Sequence, residues 1–176
     1  MKRFFIVSII YFLSLINPLS ANNIAFIDIK LLMQTSKAGL NLSSKIKILE
    51  KQTIKLIENV GNDLKDKEKE LVDKKNILSE NDFNIEISKL KKEINEFNVM
   101  KNYEIKNLEK KKTQYNGKLL DSIKSILTDY AKSNEITLLL QKQNIILGSN
   151  DINITDDILN ILNKKIKEIK LKWRLL

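Results

Sequence analysis

Apolar residues recur at steps of three, four and their sums along two long stretches of the chain. The first runs through Leu42, Ile46, Leu49, Leu56, Val60, Leu64 and Leu71; the second through Ile87, Leu90, Ile94, Phe97, Leu108, Tyr115, Leu119, Ile123, Ile126 and Tyr130. This spacing lays one apolar stripe along a helix. Helices are therefore expected over residues 40–78 and from about 82 to 133. The polar break Leu78-Ser79-Glu80-Asn81-Asp82 between them predicts that the chain folds back as an antiparallel hairpin. Asn81 or Asp82 is the expected cap of the second helix, with Glu86 in its first turn, and Asn134 is expected to close it. At about 1.5 Å per residue the first helix alone would reach about 58 Å. That is longer than a compact domain of this mass needs.

The pattern switches to short β-like runs on both flanks. Residues 24–29 (Ile-Ala-Phe-Ile-Asp-Ile) are β-branched and aromatic, and so read as a strand. Residues 30–36 predict one or two helical turns, and Gly39 permits a bend before the long helix. After the hairpin, 136–140 and 145–147 predict two more strands, the last ended by Gly148-Ser149-Asn150, and Thr155 is the expected cap of a closing helix with Ile158 and Leu162 on one face. Gly61 costs about 1 kcal/mol against Ala, and marks either a flexible point or a tolerated glycine on the exposed face. Three short strands do not make a stable independent sheet, and their edges need covering. The chain thus reads as α+β, mostly α: a long antiparallel helical hairpin inserted into a small β body that assembles with copies of itself.

The first residues read as an address. Lys2 and Arg3 precede an apolar run from Phe4 to Ile16, Asn17-Pro18 breaks it, and Ala21 is the small residue that signal peptidase accepts. The run is short of the ~20 apolar residues of a spanning helix, so residues 1–21 are expected to be a cleaved signal peptide. A bacterial periplasm is the compartment this implies. The remaining boundaries follow: 22–39 body strand and turn, 40–133 hairpin, 134–163 body strands and closing helix, 164–176 a basic amphipathic tail.

Composition narrows the chemistry. The 176 residues contain no Cys and no His, which removes disulfides, thiolate nucleophiles, imidazole bases and most zinc sites. One Pro and four Gly fit long unbroken helices. The net charge is +9 and would be +7 without Lys2 and Arg3, an excess suited to acidic partners or anionic surfaces. It sits near the hairpin base (Lys37, Lys45, Lys47, Lys51, Lys55) and at the C-terminus, whereas residues 61–112 are nearly balanced. With no aromatics interleaved on a basic face, nucleic acid is not an expected partner. No phosphate loop, metal-spaced carboxylate cluster or nucleophile with a base is present, so neither enzyme activity nor a cofactor is expected. Asp156-Asp157 is the ordinary acidic start of a helix.

Two groups of residues carry a resemblance. The run Ile24 to Ile29, followed by Leu31-Leu32 and Ser36-Lys37-Ala38-Gly39, resembles the opening strand and S-x-A-G turn of the Skp/OmpH family of periplasmic chaperones. The runs 136–140 and 145–147, then Asp151-Ile152-Asn153-Ile154-Thr155-Asp156-Asp157-Ile158-Leu159, are similar to its paired strands and closing helix start. The likeness spans residues 22–163. It implies a homotrimer whose body is built from Ile24, Phe26, Ile27, Ile29, Leu138, Leu140, Ile145 and Leu147. From that body three hairpin tentacles would enclose a cavity that holds unfolded outer-membrane proteins without ATP. The stretch 76–83 is not basic here, unlike the family's tentacle tips, and the tail from Lys164 extends past the family's usual end.

Most of the hairpin stripe serves packing between its own helices. The residues left for client contact in the distal half are Phe83, Ile85, Phe97, Val99 and Met100, which helical spacing does not place on one seam. In the tail, Ile158, Leu162, Ile166, Ile169, Trp173 and Leu176 fall on one helical stripe among lysines. That is the make-up of an interfacial helix, with lipid contact expected through Lys167, Lys170, Lys172, Trp173 and Arg174. The alternative for the same stripe is packing of an extended closing helix onto the body. Two other function classes stand beside the chaperone: a periplasmic coiled-coil structural adaptor and a membrane-surface binder.

Overall fold

The computed structural model describes residues 23–170; the expected signal peptide and the tail residues Lys172, Trp173, Arg174 and Leu176 lie outside that range. The element order is β1 (Asn23–Ile27), α1 (Ile29–Thr35), α2 (Lys37–Asp73), α3 (Glu80–Ser133), β2 (Ile136–Gln141) and α4 (Thr155–Lys165), with two short 3₁₀ turns, Lys142–Asn144 and Asn150–Ile152, before α4.

The hairpin forms where the stripes place it, with shifted ends. α2 begins at Lys37, three residues early, because Ser36 acts as N-cap: its Oγ accepts from the Gly39 amide at 3.1 Å. Gly39 is therefore not a bend but part of the first turn. A Cβ there would collide with the Met33 carbonyl, so glycine lets α1 lie against the start of α2. The break also comes earlier than expected, over residues 74–79. Neither Asn81 nor Asp82 caps α3; Ser79 does. Its Oγ accepts from the Asp82 amide (3.2 Å) and donates to Asp82 Oδ2 (2.6 Å), so one hydroxyl holds both groups of Asp82. Asn134 closes α3 as expected, followed by Glu135 in the left-handed region (φ 53°), the conformation that commonly ends helices.

β1 and β2 pair in parallel, Ile24 opposite Leu138 and Phe26 opposite Leu140, so the entire hairpin is the crossover between two neighbouring strands. β1 is only five residues long, since Ile29 already belongs to α1. The other edge of β1 is taken by the Asn153 segment: Phe26 bridges to Asn153 and its carbonyl accepts from the Ile154 amide at 3.0 Å. The expected third strand at 145–147 is absent. That stretch is a loop whose Ile145 and Gly148 lie near the Phe26 ring, while Ile146 and Leu147 are 105% and 93% exposed. Asn153 takes the free side of β1, and the apolar run does not pair with the open edge of β2.

The core joins all of these elements. Ile27 from β1, Leu32 from α1, Leu42 from α2, Leu119 and Ile123 from α3, and Ile158 and Leu162 from α4 are fully buried in one cluster. Burial of each such side chain is worth about 1.5–3 kcal/mol. Thr155 does not cap α4. Its amide donates to Asn153 Oδ1 (3.1 Å), while its buried hydroxyl accepts from the Asp28 amide (3.0 Å) and donates to Asn153 Oδ1 (2.6 Å). Asp28 Oδ1 in turn accepts from the Leu31 amide at the start of α1. One small polar network thus fixes the end of β1, the start of α1 and the start of α4.

Candidate functional site

The hairpin arms run outward from this core as a two-helix seam. Leu71 and Leu78 on one arm and Phe83, Ile87, Leu90, Ile94, Phe97 and Met100 on the other are half-buried. Between residues 65 and 114 no residue is fully buried. Two helices in contact cover one stripe on each and leave the flanks of that stripe in water. Gly61 lies half-buried on the seam and not on the exposed face. A Cβ there would come to 3.4 Å from Phe97 Cζ, so the glycine makes room for the ring. Near the tip the seam opens into a groove of ≈ 540 Å³, with Leu71, Leu78 and Leu90 among its lining residues.

Charged ties set the arms in register. Lys67 of α2 meets Glu93 of α3 at 2.9 Å and its own-helix neighbour Asp63 at 3.3 Å. Lys112 of α3 meets Glu50 of α2 and Glu109, each at 3.0 Å. The ammonium of Lys67 is held above its ordinary pKa by hydrogen bonds first to Glu93 and then to Asp63, and that of Lys112 by Glu109 and then Glu50. All of these groups reach water, so they specify register more than they add stability.

The five side chains expected to contact clients divide into two sets. Phe83, Phe97 and Met100 are half-buried on the seam, whereas Ile85 and Val99 are exposed, Val99 at 72%. Residues 85, 99 and 103 fall on one side of α3 at about 100° per residue. Tyr103, not among the five expected residues, is 62% exposed on that side. Its signal was a position eighteen residues from Ile85 and four from Val99, hidden by lysines between.

Among the expected body residues, Ile27 and Phe26 are buried within the chain, Ile27 in the core and Phe26 beside the 145–148 loop. Neither offers a surface to a second copy. Ile24 and Leu138, paired across the two strands, are exposed; Ile29, Leu140 and Ile145 are half-buried; Leu147 is exposed. Among the described residues the outer edge of β2 pairs with no strand. The tail does not continue α4 as one amphipathic stripe. The helix stops at Lys165, Ile166 is extended, and Ile169 is buried in the core, while Lys167 and Lys170 face solvent. Asp157 accepts a hydrogen bond from Tyr130 Oη at 2.8 Å. No group of three or more acidic residues among the described residues is placed to hold a metal, and no described helix is long and apolar enough to cross a membrane.

A small body carrying an inserted hairpin is a specific architecture, and it has relatives. The family model for Outer membrane protein (OmpH-like) matches residues 23–162, most of the chain and all of its elements up to the middle of α4. The chain belongs to the OmpH-like family. A crystal structure of a proposed outer membrane chaperone (OmpH-like) from Caulobacter crescentus CB15 superposes on it with a TM-score of 0.81 at 15% identity, over 89% of this chain and 93% of that one. At that identity the likeness is one of fold. No curated protein matches the chain. In this OmpH-like protein the family match takes in both arms of the hairpin and both strands of the body, and stops one residue short of Asn163.

Proposed function

We propose that this OmpH-like protein is an ATP-independent periplasmic holdase that binds unfolded outer-membrane proteins between hairpin tentacles and keeps them from aggregating. The observation that carries the reading is the stretch 65–114, which has apolar side chains on its seam and its outer side but no fully buried residue. Such arms offer many weak apolar contacts framed by charge, which suits an extended client better than a shaped ligand. Family membership and the fold shared with the Caulobacter protein support a chaperone role of this kind. Assembly into a trimer is supported by the unpaired outer edge of β2 and by the exposed apolar pair Ile24 and Leu138 beside it. Client contact is assigned to Ile85, Val99 and Tyr103 on the outer side of α3, with Phe83, Phe97 and Met100 reachable where the seam opens.

Lipid contact is assigned to Lys167 and Lys170, which are exposed, and to Lys172, Trp173 and Arg174. It does not run through a continuous interfacial helix, because Ile169 is turned into the core.

The test is dilution of a urea-denatured outer-membrane β-barrel into buffer with and without the mature protein and no nucleotide. Light scattering should stay low with the protein in excess. The Ile85→Glu/Val99→Glu/Tyr103→Glu variant should protect less at unchanged helicity. Equal aggregation with and without the wild-type protein would sink the reading.

A further inference from the structure

We propose that residues 163–170, beyond the stretch the family model matches, form a strap that locks the root of the hairpin onto the body. The inference does not depend on the holdase reading.

Two polar ties run from this segment to the first turns of α2, and one isoleucine joins it to the core beside them. Asn163 Oδ1 accepts from the Lys37 amide at 2.7 Å, across 126 residues of chain. A helix start leaves four amides without intrahelical partners; Ser36 serves one of them locally, and the C-terminal segment serves another. Next, Ile166 leaves the helix in an extended conformation (φ −134°, ψ 109°), which turns the chain off the α4 axis. Ile169 then returns into the cluster that holds Leu42, Leu119 and Ile158, with only 7% of its surface exposed. Between these two points Glu168 Oε2 meets Lys45 Nζ at 3.2 Å, two turns into α2. That exposed pair adds little stability in water, but it sets which side of α2 the segment crosses.

The root has few other anchors. On α2 only Ala38, Gly39 and Leu42 are buried before Thr53. A segment that supplies an amide acceptor and an isoleucine at this point therefore governs whether the first turns of α2 stay docked while the arms beyond move. The helical spacing of Ile166 and Ile169 disguised this role, since it fits a continued helix equally well.

The experiment is hydrogen exchange read by mass spectrometry, which reports local opening free energies. It compares the full mature chain, a chain ending at Lys165 and a full-length Ile169→Ser variant. In the shortened chain, amides of residues 41–50 should exchange roughly tenfold faster, as expected when one buried isoleucine no longer closes the site. Amides of β1, β2 and residues 85–105 should keep their rates. Ile169→Ser should accelerate the same amides by a smaller factor, and it decides alone if the shortened chain does not fold. Unchanged exchange at residues 41–50 would overturn the strap. So would an equal rise in β1, β2 and the root, because the segment would then only share in global stability.

Discussion

The body and the arms are built from the same helices, yet they solve burial differently. Over residues 115–127 of α3, Tyr115, Leu119, Ile123, Ile126 and Leu127 are buried; over residues 65–114 none is. The sequence repeat is similar in both regions. What differs is the number of neighbours: in the body α3 meets β2 and α4 in addition to α2, and in the arms it meets α2 alone. A heptad-like stripe announces a packing face but does not say how completely that face will be closed. In the arms the stripe is half-closed, which leaves apolar surface available to another chain.

The contrast breaks most directly by truncation of matched leucines. Leu119→Ala, in the body, should destabilise by about 2–5 kcal/mol, as fully buried Leu→Ala changes do. Leu90→Ala, on the half-buried seam, should lose about 1 kcal/mol. Urea unfolding followed by circular dichroism gives both numbers. Equal losses would mean that the distal seam is as closed as the body.

A smaller effect separates the polar ties of the two regions. In the body, the hydrogen bond to Asp157, and then burial, raise the pKa of the Tyr130 phenol above its ordinary value. A raised folded-state pKa means that folding favours the neutral phenol. The stabilisation is therefore complete below the unfolded value of about 10 and is lost as pH climbs through the higher folded value. Tyr130→Phe should cost about 0.5–1 kcal/mol near neutrality. The gap between wild type and variant should narrow above about pH 10. A gap that stays constant across that range would remove the phenol–carboxylate bond from the account.

The smallest effect lies in the arms. Lys67→Met removes the tie to Glu93 and Asp63, all solvent-exposed. Amide exchange around residues 63–67 and 90–96 should rise slightly in dilute buffer, and the difference should vanish in concentrated salt, which screens exposed pairs. A salt-independent difference would point to packing by the lysine stem instead.

The hairpin was legible in the sequence because long periodic stripes with few breakers have little other outcome. Its capping was less so: Ser79, Asn81 and Asp82 are all competent caps, and only the three-dimensional turn selects Ser79. The body was half legible. Residues 24–27 and 136–140 read correctly as strands, but residues 145–147 have the same local composition and form a loop beside the Phe26 ring, while Asn153 takes the other side of β1. Thr155 looked like a cap and is instead a bridge to Asp28, a contact across 127 positions that no local pattern encodes. The candidate contact residues were legible as apolar excess but not as faces, because the division of Phe97 from Val99 depends on where the partner helix lies.

The topology also dictates an order of events. β1 is the first described element of the chain, and its sheet partner begins at Ile136, after both arms of the hairpin. As the polypeptide emerges from its N-terminus, Ala25, Phe26 and Ile27 have neither a strand beside them nor α4 beneath them until the whole excursion is complete. The arms need only each other and can zip as soon as the turn at 74–79 is made. That zipping brings the distant ends of the chain to one place and shortens the loop the body must close. The tentacle is thus also the scaffold on which its own base is assembled.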